Sequence, residues 1–261
     1  MTSPFRDHDY PADPYPGARP DVSFVHYGCT GYPVTPDATF PSGWVLHEGH
    51  TTIDLDRWLA AQHAEPLHAR LPVLAYGSNS NPEKISWLRG ELGLCGPAIV
   101  FRAACSGIAA VWSAGVRARD GQRPAVLAAA PGVETHTVWF VTPDQRRVLD
   151  QCEGRGERYR LAWVTADINL DDGTLLRRVL AYTARPDVLG QDVPAHLNRS
   201  PLLVNGEMVR MSTADQQTAA RMSGVPATTD GLDCEEVTGD PGVDAPGGHC
   251  SNRSASRQDP P

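Results

Sequence analysis

Two short stretches of this 261-residue chain carry the residue types most suited to chemistry. In the first, the apolar run from Leu71 leads into Tyr76-Gly77-Ser78-Asn79, and Asn81-Pro82 follows. Glycine at a strand end permits a sharp turn and lets a ligand approach the backbone closely. The N–H groups after it, with a helix N-terminus just beyond, can form a nest for a carboxylate or an oxyanion. The spacing fits neither a phosphate-binding P-loop, whose lysine is missing, nor a G-x-S-x-G nucleophile elbow, since Tyr76 stands two residues before Ser78. In the second stretch, Leu149-Asp150-Gln151-Cys152-Glu153-Gly154 is followed by Tyr159 and Arg160. Glu153 falls in the last turn of an expected helix, where the dipole disfavours the ionised carboxylate and so favours a general base working near neutral pH. Taken singly, each stretch has a plainer reading: a surface turn, and an exposed glutamate at a helix end.

Together, and in this order, the two stretches resemble the γ-glutamylcyclotransferase-like proteins. The hallmark of that family is a strand running into Y-G-S-N, here Tyr76-Gly77-Ser78-Asn79. Several strands later comes an L-D-x-x-E-G helix end, here Leu149 to Gly154, and then a tyrosine, here Tyr159. The resemblance covers about residues 71–185. It implies a small mixed barrel with flanking helices and a pocket between the two motifs. Two regions depart from the pattern. The chain after Tyr182 lacks the usual C-terminal P-S-x-x-Y helix, and the first seventy residues have no counterpart.

What the resemblance implies chemically is an intramolecular aminolysis. The α-amino group of a γ-glutamyl amide attacks its own γ-carbonyl, giving 5-oxoproline and a free amine. Such a reaction is served by folding the substrate back on itself, and it calls for no nucleophilic side chain, cofactor or metal. It does need an unprotonated amine, and an amino terminus of pKa roughly 8 is mostly protonated at neutral pH. Glu153 is the expected general base. The Gly77–Asn79 amides would hold either the oxyanion or the substrate's α-carboxylate. Tyr76, Tyr159 and Tyr182 are expected to line the pocket, or else to be ordinary core tyrosines. The alternative is a non-catalytic member of the same fold that binds a small metabolite or contacts a protein partner. A third reading is an enzyme acting on a γ-glutamylated natural product or polyamine, marked by an acidic or aromatic leaving-group pocket.

The elements that must position these residues are legible from caps and periodicity. Asp54 can cap a short helix carrying Leu55, Trp58 and Leu59. Leu71–Tyr76 reads as a buried strand. Asn81-Pro82 is a good helix start, with Ile85, Leu88 and Leu92 on one face. Short runs at 98–104, 108–118, 124–130 and 135–141 read as strands, punctuated by Asp120-Gly121 and Pro131-Gly132. Thr142-Pro143-Asp144-Gln145 is a capping-box pattern, and Gly154 is a natural stop. Strands at 159–168 and 175–183 follow, joined around Asp171-Asp172-Gly173. Mostly antiparallel strands with a few helices predict an α+β domain with a closed or strongly curled sheet.

Outside this core the composition changes. Residues 1–42 hold two Arg against five Asp and are rich in Pro, which predicts an irregular arm, draped on the domain through Phe24, Tyr27 and Tyr32 or else disordered. Residues 43–224 are charge-balanced and form the expected domain, with its core at 71–185. Residues 225–261, with two Arg against seven acids, read as a disordered acidic tail. A balanced middle without a Lys/Arg block argues against nucleic acid as a partner. No apolar run reaches the roughly 18 residues that span a bilayer, and the N-terminus has no signal-peptide core. Six cysteines without a C-x-x-C pair or metal-ligand spacing fit a cytoplasmic protein with reduced thiols. His47-Glu48-Gly49-His50 has the wrong histidine spacing for a zinc-protease helix. Cys152 is expected to face the core as a small hydrophobe. The expected partner is therefore a small γ-glutamyl substrate, with no membrane or nucleic acid.

Overall fold

Local capping fixes the helices on either side of the site. Asn81 accepts the Lys84 N–H through its side chain at 2.7 Å, Pro82 takes the first helical position, and Gly93 closes the helix in the left-handed region. Thr142 and Gln145 form a reciprocal capping box at the start of the next helix, which Gly154 ends at φ +65°. Asp54 caps the first helix by accepting from the Arg57 N–H. Each satisfies backbone groups that a helix end otherwise leaves unpaired.

The computed structural model describes residues 3–241. In chain order its first half comprises β1 (Phe5–Arg6), β2 (Phe24–Tyr27), β3 (Thr30–Pro36), β4 (Trp44–Glu48), β5 (Thr51–Asp54), α1 (Leu55–Ala61), β6 (Leu71–Ala75) and α2 (Pro82–Leu92). Then come β7 (Ala98–Trp112), β8 (Ala125–Val141), α3 (Pro143–Glu153), β9 (Tyr159–Leu170) and β10 (Leu175–Ala184). Last are β11 (Leu202–Val204), β12 (Glu207–Met208), α4 (Gln216–Arg221), β13 (Val225–Pro226) and β14 (Cys234–Glu236).

The fold is α+β, built on a mixed and mostly antiparallel barrel with flanking helices. Strands run in the order β9-β10-β6-β8-β7, and β7 returns to pair with β9, closing the ring. Only the β10–β6 pair within that ring is parallel. One buried cluster fills the barrel around Phe101, Leu127, Val138 and Val164; a second packs Ile85, Leu88 and Leu149 of α2 and α3 against the outer face. Alternation of side chains across the strands serves both clusters at once.

Three expectations are corrected. The four short runs between residues 98 and 141 are two long strands, β7 and β8. Between the pairs Ser106–Val133 and Ile108–Ala129 the register shifts, so Gly107 faces residues 130–132. The Pro131-Gly132 signal therefore marks an irregularity inside a strand. Residues 24–36 are not an irregular arm: β2 pairs with β7 and β3, and β4 and β5 extend the sheet beyond them. Phe24 is fully buried, whereas Tyr27 and Tyr32 pack on Trp58. The segment after residue 225 is also ordered as far as the described residues run. β14 pairs with β9, and Asp240 is ion-paired with the buried Arg146. The rest of the expected tail, 242–261, lies outside the described residues. Among the described residues, no helix is long and apolar enough to cross a membrane.

Candidate active site

The loop after β6 begins at Gly77 and forms a single 3-10 turn over Ser78–Ser80 before α2 starts. Among the described residues, the N–H groups of Gly77, Ser78 and Asn79 donate to no backbone carbonyl, so they remain free for a ligand. A side chain at position 77 would bring its Cβ to 3.1 Å from the Tyr15 hydroxyl, a tight contact that Tyr15 would have to yield to.

Glu153 is the last residue of α3 and is partly buried. Its Oε1 accepts a hydrogen bond of 2.8 Å from Asn79 Nδ2, tying the end of α3 to the loop after β6. The other face of the Asn79 amide, Oδ1, is buried and unpartnered among the described residues. The helix end beneath Glu153 is not a bare negative pole. Arg158 donates to the carbonyls of Cys152 and Glu153 at 3.0 and 3.2 Å, so a guanidinium answers the dipole there.

Tyr76, Gly77, Ser78, Asn79, Glu153, Tyr159 and Tyr182 all border one cavity of about 410 Å³. The three tyrosines frame it, and their hydroxyls are engaged elsewhere. Tyr76 donates to the Tyr182 carbonyl, Tyr182 donates to Asp150 Oδ1 at 2.7 Å, and Tyr159 donates to the Ala125 carbonyl at 3.3 Å. Burial raises the pKa of all three, so each keeps its proton. Asp150, the acid of L-D-x-x-E-G, is structural: besides Tyr182 it holds Arg146 and, at 3.2 Å, Arg155. Cys152 packs on the outer core cluster but also borders the cavity, a correction to its expected placement wholly in the core.

Sequence reasoning missed two features. Tyr15, from the Pro-rich N-terminal segment, enters the cavity. Its hydroxyl accepts the Ala125 N–H at 3.0 Å, its own O–H has no acceptor among the described residues, and burial raises its pKa. The cavity is also cationic, with Lys84, Arg117, Arg119, Arg158 and Arg199 on its wall against Glu153 and Glu157, although Arg117 and Arg119 are paired with Asp120. Arg199 is 4% exposed and makes no ion pair among the described residues; its guanidinium donates to the carbonyls of His196 and Asn198 and lies 5.5 Å from the Tyr159 ring centroid. Burial pulls the Lys84 ammonium below its ordinary pKa, against the opposing influence of Cys152 and Glu153. The one available signal was the high arginine content, which is spread along the whole chain and marks no site.

No family model matches the chain, and no curated protein matches it. Among solved structures it is similar to one described as "Gamma-glutamyl cyclotransferase", at 19% identity over 44% of this chain and 66% of that one, with a TM-score of 0.36. It is also similar to an uncharacterized protein from Homo sapiens, at 18% identity over 45% of this chain and 68% of that one (TM-score 0.37). A third, YkqA from Bacillus subtilis, shares 15% identity over 55% of this chain and 51% of that one (TM-score 0.37). The chain thus spans just under two thirds, 66%, of the first of these structures.

Proposed function

We propose that the chain is a γ-glutamylcyclotransferase-like enzyme that releases 5-oxoproline from a γ-glutamyl amide, with Glu153 as general base. The observation that carries this reading is the 2.8 Å bond from Asn79 to Glu153 at a cavity bordered by the Gly77–Asn79 amides. Glu153 takes a proton from the substrate's α-ammonium group. The freed amine attacks the γ-carbonyl carbon, forming the lactam C–N bond. The amide C–N bond then breaks as the departing nitrogen takes that proton back from Glu153, and the ring nitrogen gives up its second proton, again through Glu153, to the released amine, which leaves as an ammonium beside neutral lactam. The loop N–H groups and the Tyr15 hydroxyl are the donors for the oxyanion that develops. Arg199, a buried cation without an acidic partner among the described residues, is a natural counter-charge for the substrate's α-carboxylate.

The cationic wall bears on the leaving group. It favours an amine that itself carries a carboxylate, as an amino acid or peptide does, over a polyamine, whose charges Lys84 and Arg158 would repel. The test is to incubate the protein with γ-glutamyl dipeptides, glutathione and γ-glutamyl polyamines and to assay 5-oxoproline. Turnover of the carboxylate-bearing substrates is expected, with a loss of at least about two orders of magnitude in Glu153→Gln. Near-full activity in that variant would remove Glu153 from the mechanism. The non-catalytic alternative predicts thermal stabilisation by these same compounds without any 5-oxoproline.

A further inference from the structure

Tyr15 also borders a second cavity, of about 870 Å³, which shares no other lining residue with the first. Its charges mostly answer one another. Arg102 pairs with Asp21 at 3.1 Å, and Arg210 pairs with Glu134 at 3.3 Å. Glu134 also accepts from the Ser212 hydroxyl at 2.9 Å and the Ala110 N–H at 3.2 Å. Asp215 is committed to capping α4. Arg19 is the exception. It is partly buried, it borders this cavity, and it makes no hydrogen bond or ion pair among the described residues.

A second, independent feature lies in the same wall. His136 is 5% exposed, and its Nε2 has no hydrogen-bond partner among the described residues. Glu134 Oε2 stands 3.5 Å away, but burial holds His136 at a pKa of about 4, so at neutral pH the ring is uncharged and makes no ion pair. The rest of the wall includes Trp112, Met211 and the Tyr15 ring, with Trp112 and Tyr15 centroids 6.2 Å apart.

We propose that this cavity binds a small organic monocarboxylate, its carboxylate paired with Arg19 and its apolar part lying against Tyr15, Trp112 and Met211. One uncommitted cation matches one negative charge, and the carboxylates of Glu134 and Asp215 oppose a dianion such as phosphate. The volume lies in the range that holds whole organic ligands, so an inorganic anion would leave the apolar wall unused. A planar guanidinium recognises a carboxylate through paired hydrogen bonds, which an amide of the same shape cannot reproduce.

Calorimetric titration of the full chain with phenylacetate and octanoate, each beside its neutral amide, tests the proposal. At least one acid should bind about tenfold or more tightly than its amide, the preference a charge-assisted pair gives. Arg19→Gln should abolish that preference, whereas Lys84→Gln, which alters a cation of the other cavity, should leave the acid's affinity within about twofold. If Arg19→Gln lowers the melting temperature, Arg19→Lys serves instead, and it should retain a weakened preference for the acid. No binding of either acid up to about 10 mM would overturn the proposal, as would equal binding of acid and amide. So would a preference that survives Arg19→Gln, one lost in Lys84→Gln, or tighter binding of inorganic phosphate than of either acid.

Discussion

Asn79 determines which way the Glu153 carboxylate faces. Its side-chain N–H group fixes one carboxylate oxygen, and in the proposed reaction the other would take the substrate proton. Asn79→Ala should therefore lower kcat by about tenfold with a smaller change in KM, because a base that is present but not aimed loses positioning more than binding. Steady-state kinetics on a turned-over γ-glutamyl peptide would check this, and equal kcat values would show that Glu153 needs no such partner. Tyr15→Phe removes a hydroxyl without removing the ring. A fall in kcat of about tenfold or more is expected if its O–H meets the developing oxyanion, by analogy with other oxyanion donors. If only KM changes, the hydroxyl acts in substrate binding instead.

At the scale of elements, the site depends on how the segment before β2 is anchored to α2. Asn81 is completely buried and does two jobs. Its oxygen caps α2, and its amide nitrogen donates to the carbonyls of Tyr10, Pro11 and Ala18 at 2.8, 3.2 and 2.7 Å. Asn81→Ala loses the cap and the donor to three part-buried carbonyls, so destabilisation of about 2 kcal/mol is expected in urea unfolding. Activity should fall further than stability alone explains, since the same bonds hold the turn that carries Tyr15. At the far side of the site, Gly154→Ala forces a left-handed residue to carry a Cβ 2.7 Å from the Arg158 guanidinium. A loss of about 1 kcal/mol, with reduced activity through a displaced helix end, is the expected outcome.

These elements also explain what the amino-acid sequence reveals and what it hides. Both motifs are legible because local chemistry writes them. Asn81-Pro82 opens a helix, Thr142 with Gln145 opens another, and Gly154 closes it, each through bonds to near neighbours in the chain. Tyr15 is illegible for the opposite reason. Tyr15 reaches Ala125 across 110 positions, and its segment lacks the alternation that would have announced a strand. The length of β7 and β8 was hidden by Gly107 and Pro131-Gly132, which mark a turn and a strand irregularity with the same residues.

For the molecule as a whole, buried histidines set the response to acid. Burial, aided by Arg19 and opposed by Glu134, holds His136 at about 4 in the folded chain against 6.5 ordinarily. His26, buried beside Asp7, is also lowered, with burial the main cause. The unfolded chain therefore takes up these protons first. The stability at stake is full above about pH 6.5 and is lost as pH falls toward 4, amounting to about 3 kcal/mol for His136. Unfolding free energies across that window should slope upward with pH, and His136→Phe should flatten the slope. An unchanged slope in that variant would assign the acid response to other groups.

The single ring of Tyr15 is a party wall between two chambers. A mutation that trims or enlarges it remodels both rooms together, whereas every other lining residue shapes one room alone. Selection that reshapes this one aromatic side chain for a new guest in one room would be felt by whatever lodges in the other.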